Sequence, residues 1–212
     1  KMEAVWFHGL PRNRNPPQSW IMVGNWERIP VGHTLKYLGL VLDERLTFEQ
    51  HLAQLAARIE RTALHLERLL PNIGGPQAKV RRLYNTVIQS MTLYGAPIWA
   101  QGTQMTKKNR DTLRRMQRRM AIRLSRSYRT ISTEVAFTLA GLIPFDLLAE
   151  GMAEAYWGSR YSDDEGSQDS PAEDPELLKT QARVRAKEMW KQELLHCRAN
   201  EKRVVATIIH SW

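Results

Sequence analysis

Residues 106–129, TKKNRDTLRRMQRRMAIRLSRSYR, constrain the fold more than any other part of the chain. Leu113, Met116, Met120, Ala121 and Leu124 recur at spacings of three and four, the period of one face of an α-helix. A helix with such a face has to bury it against other elements. The same stretch carries ten cations, Lys107, Lys108, Arg110, Arg114, Arg115, Arg118, Arg119, Arg123, Arg126 and Arg129, against one acid, Asp111. Several of the arginines fall away from the apolar face. A solvated helix surface normally mixes signs, with Glu placed four residues before Lys or Arg. That mixing is absent along this stretch. The stripe is therefore expected to meet a polyanion, and the planar guanidinium fork suits phosphate.

The charge distribution points the same way. Residues 1–157 hold 22 basic and 12 acidic side chains, whereas residues 158–212 hold nine and ten. The net charge of +9 thus belongs to the larger block, which is the expected polyanion binder. Anionic membranes are not the expected partner, since no apolar run approaches the length of a bilayer span. A single cysteine, Cys197, excludes an internal disulfide and fits a reducing compartment. It follows His196, but two neighbours do not supply the ligands zinc needs. A start at Lys1, without Met or a signal peptide, reads as a fragment of something longer.

In chain order the expectation is an α+β fold, mostly α. Residues 2–8, 20–23 and 26–29 read as short strands, with Gly24-Asn25 as a two-residue hairpin turn. Residues 35–43, LKYLGLVLD, read as one strand covered on both faces, with Gly39 marking a bulge or a close backbone approach. These make a small antiparallel N-terminal sheet (residues 1–46) that needs helices against it. A helical, thumb-like bundle is expected over residues 47–157. Thr47 and Gln50 read as a capping box opening its first helix, with Phe48, Leu52, Leu55, Ile59, Ala63, Leu66 and Leu70 on one face. Pro76 starts a second helix with a buried stripe of Val80, Leu83, Val87, Met91 and Tyr94, and Lys79, Arg81 and Arg82 add positive charge. Gly95-Ala96-Pro97 breaks it. After the basic helix, Ser132 or Thr133 caps a fourth helix ending at Gly141, and Pro144 starts a fifth with Leu147, Leu148 and Met152 on one face. Residues 158–175 carry six acids and one base and read as a flexible acidic linker. A mostly polar helix through Leu178, Ala182, Met189, Glu193 and Cys197, then a stripe of Val204, Val205, Ile208, Ile209 and Trp212, form a C-terminal helical tail, 176–212.

Catalytic chemistry is sparse. Tyr161-Ser162-Asp163-Asp164 matches the short signature with which polymerases hold two Mg²⁺ ions, but that signature needs a rigid hairpin between apolar strands. Its flanks here are Gly158-Ser159-Arg160 and Glu165-Gly166-Ser167, so it reads as a chance match. There is no P-loop and no G-x-S-x-G. His51 and His65 read as helix-surface residues, and Glu60 and Glu67 as partners of Arg58, Arg61 and Arg68. No catalytic residue and no metal site is expected in this chain.

A family resemblance is carried by several blocks in order. Lys36-Tyr37-Leu38-Gly39-Leu40-Val41-Leu42-Asp43, then Leu46-Thr47-Phe48 and His51, resembles the KYLG-x-x-LD…LTF…H block of non-LTR (LINE-type) retrotransposon reverse transcriptases. So does Tyr94-Gly95-Ala96-Pro97-Ile98-Trp99. RRMQRR at 114–119, YRTISTE at 128–134 and AGLIP at 140–144 resemble blocks of jockey-like insect elements. The likeness covers about residues 1–157. The resemblance implies palm-edge strands that support the primer end, with Gly24, Lys36 and Tyr37 as primer-grip-like residues. It implies a helical thumb and connector holding the RNA and DNA of a template–primer duplex by its phosphates. The contacting cations would be Lys79, Arg81, Arg82, Lys107, Lys108, Arg114, Arg115, Arg118, Arg119, Arg123 and Arg126. Other partners would be the remaining polymerase domains of the parent polyprotein, and the place would be intracellular and nuclear. Mg²⁺ would belong only to palm carboxylates that are not in this chain. An inactive remnant acting as a helical protein-interaction scaffold is the alternative, and an independent enzyme using Asp163 and Asp164 is a third reading.

Overall fold

The computed structural model describes residues 2–7, 19–24, 27–69, 71, 75–101, 106–164 and 174–196. Five short strands precede seven helices among them, so the fold is α+β and mostly α. Central strand β3 (Glu27–Gly32) pairs antiparallel with β2 (Trp20–Val23) and parallel with β1 (Ala4–Val5). The sheet is therefore mixed rather than purely antiparallel. Gly24, with φ +63°, ends β2; Asn25 and Trp26 lie outside the described residues.

Residues 35–43 are not one strand. They form a separate hairpin of β4 (Thr34–Tyr37) and β5 (Leu40–Asp43). Leu38 and Gly39 at its tip have φ values of +46° and +85°, the paired positive angles of a tight hairpin turn. The continuous apolar run conceals that turn, because Leu38 sits at the exposed tip while Leu40 and Val41 are buried. Gly39 does meet a close approach: a Cβ there would lie 3.4 Å from the Tyr94 ring, and the Tyr94 hydroxyl donates to the Leu38 carbonyl at 2.9 Å.

Asp43 then organises the entry to α1 (Glu49–Leu69). Its carboxylate accepts the Thr47 N–H at 2.6 Å and the Thr47 hydroxyl. Half of the expected capping box forms: the Thr47 hydroxyl accepts the Glu49 N–H at 3.5 Å, but the Thr47 N–H is taken by Asp43 rather than Gln50. The apolar face of α1 is as expected, with Phe48, Leu52, Leu55, Ile59 and Ala63 buried; Leu70 lies outside the described residues. Helix α2 (Ala78–Thr92) begins after N-cap Gln77, two residues beyond Pro76. Most of its expected stripe faces outward: Val80, Leu83, Val87 and Tyr94 are exposed, Met91 alone packs against the core, and Arg81, Asn85, Ile88 and Thr92 are buried. Two of the polar groups on the inward face find carbonyls: Arg81 donates to Pro76 O at 2.9 Å and the Thr92 hydroxyl to Ile88 O at 2.8 Å.

Gly95 breaks the helix in the left-handed region (φ +66°) and leads into the turn α3 (Ala96–Trp99), whose Trp99 is fully buried. A Cβ on Gly95 would lie 2.9 Å from Leu40 Cδ2. Gly95→Ala is expected to cost about 1–3 kcal/mol from backbone strain and crowding, seen as a drop of about 2–4 °C in Tm for each kcal/mol.

Basic helix α4 (Lys107–Ser125) takes part in two cores, and α5 (Thr133–Ala140) in the second of them. One core unites β5, α1, α2, α3, α4 and α6 (Phe145–Asp164). The other unites α4, α5, α6 and α7 (Pro175–Leu195). Ser132 caps α5, accepting the Val135 N–H at 3.3 Å, and Gly141 ends it, both as expected. Leu147 is buried on α6 but Met152 is exposed. Helix α6 continues through Asp164, so residues 158–164, assigned by composition to the linker, are helical. The Tyr161-Ser162-Asp163-Asp164 run thus has a helical backbone, not the hairpin its signature requires. Helix α7 buries Ala182, Ala186, Trp190 and Leu194, while Met189 is exposed. Trp190 packs on Phe137 with ring centroids 6.0 Å apart. Cys197 and the Val204–Trp212 stripe lie outside the described residues.

Candidate nucleic-acid interface

The chemistry of α4 begins with how it is seated. Thr106 caps it, accepting the Asn109 N–H at 3.2 Å, and buried Asn109 donates to Thr47 O at 2.9 Å. Fully buried Gln117 donates to Ile143 O and accepts the Phe145 N–H, both at 2.8 Å. One side-chain amide thereby fixes the turn between α5 and α6 against α4, since both of its polar atoms are satisfied.

Most of the predicted phosphate-binding cations have partners inside the protein. Arg114 makes a forked contact with Asp146, at 3.0 Å from Nε and 2.6 Å from Nη2 to Oδ2, and reaches Glu193 at 2.9 Å. The Asp146 side chain is 1% exposed. Burial alone would lower the Arg114 pKa, but the hydrogen bonds and charges of Asp146 and Glu193 outweigh it and push it above the ordinary arginine value. Arg118 donates to the carbonyls of Arg129 and Ile131 at 2.9 and 2.6 Å, holding the chain between α4 and α5. Arg81 is 1% exposed and donates to three carbonyls: Pro76 at 2.9 Å, Arg123 at 2.8 Å, and Pro71. Burial, then the nearby charges of Arg126 and Arg123, lower its pKa. Arg81 is therefore not a surface contact, a correction to the sequence expectation. Arg110 pairs with Glu150 at 2.8 Å, Lys108 with Glu49 at 2.5 Å, and Arg119 with Glu60 at 3.1 Å. Arg126 donates to Pro76 O at 3.2 Å, and the Arg123 side chain is half-buried. The acids absent along α4 are supplied by α1, α6 and α7. Glu60 accordingly serves Arg119 rather than Arg58 or Arg61.

Four of the predicted cations remain available. Lys79, Arg82, Lys107 and Arg115 are exposed and make no hydrogen bond or ion pair through their side chains with another described residue. Arg82 lines a groove of about 650 Å³ between α2, α5 and α7, together with Arg183 and Lys187 and no carboxylate. Arg183 and Lys187 escape a reading focused on the basic helix, because they lie in the segment whose net charge is near zero. A second groove of about 610 Å³ opens between the β4–β5 hairpin, α1 and α2. Lys36 lines it with Arg58 and Arg61, again without a carboxylate. Of the other primer-grip-like residues, Tyr37 is exposed beside the hairpin tip, and Gly24 ends β2, a strand of the other sheet. Among the described residues no group of three His, Cys, Asp or Glu could hold a metal ion, and no single helix is long and apolar enough to cross a membrane.

Neither any family model nor any solved structure matches the chain. Two curated proteins do. One is a 115 kDa protein in the type-1 retrotransposable element R1DM of Drosophila melanogaster, 30% identical over 129 residues, which are 60% of this chain and 12% of that protein. The other is the retrovirus-related Pol polyprotein from the type-1 retrotransposable element R1 of Nasonia vitripennis, 26% identical over 113 residues, 53% of this chain and 33% of that protein. The chain thus spans a third or less of the length of these relatives. Basic and mostly helical, the chain is a homologue of proteins of R1 non-LTR retrotransposable elements.

Proposed function

We propose that the chain is the part of an R1-type reverse transcriptase that holds the RNA–DNA template–primer duplex through its backbone phosphates. The observation that carries this is the residue set left over after internal pairing. Lys79, Arg82, Lys107 and Arg115 keep solvated charge unpaired among the described residues, and the groove at Arg82 adds Arg183 and Lys187 without an acid in its lining. Cations of that kind bind phosphate without reading sequence. The likeness to a Pol polyprotein supports the reading. No catalytic residue and no metal is assigned to this chain; Mg²⁺ would sit in palm carboxylates elsewhere in the polymerase. Its other partner would be the rest of that polymerase, packed on the exposed apolar faces of β2 and α2, and its place the nucleus.

The test is binding to a short RNA–DNA hybrid, followed by fluorescence anisotropy across a salt series. Binding should weaken log-linearly with salt. Replacing Lys79, Arg82, Lys107 and Arg115 by Gln should reduce the slope of log K against log salt by about 0.9 for each phosphate that is no longer neutralised. An unchanged slope in the fourfold variant sinks the proposal. The alternative, a protein-interaction scaffold, draws on the outward stripe of Val80, Leu83, Val87 and Tyr94. Light scattering separates the two, since a scaffold of this kind self-associates without nucleic acid.

A further inference from the structure

The groove between the β4–β5 hairpin, α1 and α2 holds one group that the duplex reading leaves unused. His51, in the first turn of α1, is 6% exposed and lines this groove. Its Nδ1 accepts the Val41 N–H at 3.3 Å, which leaves the ring proton of the neutral form on Nε2. Nε2 is buried and has no hydrogen-bond partner among the described residues. A buried N–H without an acceptor is uncommon in native proteins and calls for an explanation.

The surroundings supply one. Residues 51, 54, 58 and 61 share one face of α1, so His51, Gln54, Arg58 and Arg61 face the same groove. Lys36 on β4 completes its wall, and Tyr94, anchored by its hydroxyl to the hairpin tip, forms another. None of the lining residues is acidic. Lys36 and Arg58 make no side-chain hydrogen bond or ion pair with another described residue, and Arg61 uses only Nε, on Ala57 O at 3.4 Å. Burial, then the charge of Arg58, lowers the His51 pKa, so the ring is a neutral donor there and not a further cation. Guanidinium and ammonium groups beside an unfilled N–H donor match the oxygens of a phosphate group.

We propose that this groove is a phosphate-binding site in which His51 Nε2–H donates to a phosphate oxygen while Lys36, Arg58 and Arg61 balance its charge. The inference rests on the proposed function only for the source of that phosphate, a nucleic-acid strand. The full chain would be titrated with inorganic phosphate and, separately, with a thymidine dinucleotide holding one phosphodiester. The readouts are the His51 ring ¹⁵N–¹H correlation and the dissociation constant. Either probe should shift the Nε2–H signal. His51→Asn, whose amide oxygen can still accept the Val41 N–H, and exposed Arg58→Gln should each weaken binding about tenfold or more. A response to the dinucleotide exceeding that to free phosphate marks the strand as the source. A response to free phosphate alone keeps the site and separates it from the duplex reading. Absence of any His51 shift with both probes overturns the proposal, as does undiminished binding in Arg58→Gln, which folds irrespective of the buried ring. Repeating the titration in the fourfold Lys79, Arg82, Lys107 and Arg115 variant keeps the two readings apart, because loss of hybrid binding there should leave the groove's affinity unchanged.

Discussion

Asp146→Ala is expected to lower the unfolding free energy by about 3–5 kcal/mol, the cost of stranding one partner of a buried charge pair. The side chain has 1% exposure and accepts two N–H groups from Arg114, whose guanidinium also lies 5.8 Å from the Trp190 ring centroid and bonds Glu193. That single guanidinium ties α4 to the start of α6 and the end of α7. Removing Asp146 leaves the positive charge half-buried with only the more exposed Glu193 beside it. Asp146→Asn should cost less, because an amide oxygen can keep one hydrogen bond. Urea unfolding gives the numbers, and a double-mutant cycle with Arg114→Met isolates the pair. A cost below about 1 kcal/mol, the range of exposed ion pairs, would show the clamp to be weak. Arg114 would then return to the candidates for phosphate contact.

Arg81→Met is expected to be as damaging, about 3–5 kcal/mol, since a buried charge-assisted donor set is lost, the Pro71 and Arg123 carbonyls lose this donor, and Pro76 O is left with the longer bond from Arg126. Those carbonyls belong to Pro71 and Pro76, before α2, and to Arg123, near the end of α4. Arg81 therefore staples the entry of one helix to the exit of another. Arg81→Lys should not rescue, because a point donor on a flexible stem cannot span three acceptors held by a planar fork. Arg82→Ala, one residue on, should change stability by no more than about 0.5 kcal/mol, as exposed substitutions do. Thermal unfolding of the three variants decides it. Equal stability of Arg81→Met and Arg82→Ala would contradict the buried role. Hybrid binding should respond in the opposite sense, falling with Arg82→Ala alone.

The contrast between these neighbours shows what a sequence conveys. Both are arginines in the first turns of α2, and periodicity places the apolar Val80, Leu83 and Val87 beside them. The obvious inference, that the apolar stripe points inward, fails because Arg81, Asn85 and Thr92 take the buried positions instead. Arg81 and Thr92 do so by bonding to carbonyls. Hydrophobic periodicity locates a helix and an apolar face. It does not say which of two faces meets the core when the other can be satisfied by hydrogen bonds. In α7 the burial of Trp190 was hidden in the same way, by the charged residues around it. The hairpin at Leu38-Gly39 was hidden by an unbroken apolar run, although glycine marked the place.

Sequence alone determined the helical bundle, the apolar faces of α1 and α4, the caps at Ser132 and Gly141, and the likeness to non-LTR elements. Each of these rests on residues close along the chain or on order along it, and local backbone sterics and spacing are enough to fix them. Tertiary structure decided which cations are free. Asp146 lies 32 residues from Arg114, Glu193 lies 79 away, and Glu60 lies 59 from Arg119. Charge pairing acts over a few ångströms in space and is indifferent to distance along the chain, so only folding could separate the arginines that hold the protein together from those left to hold something else.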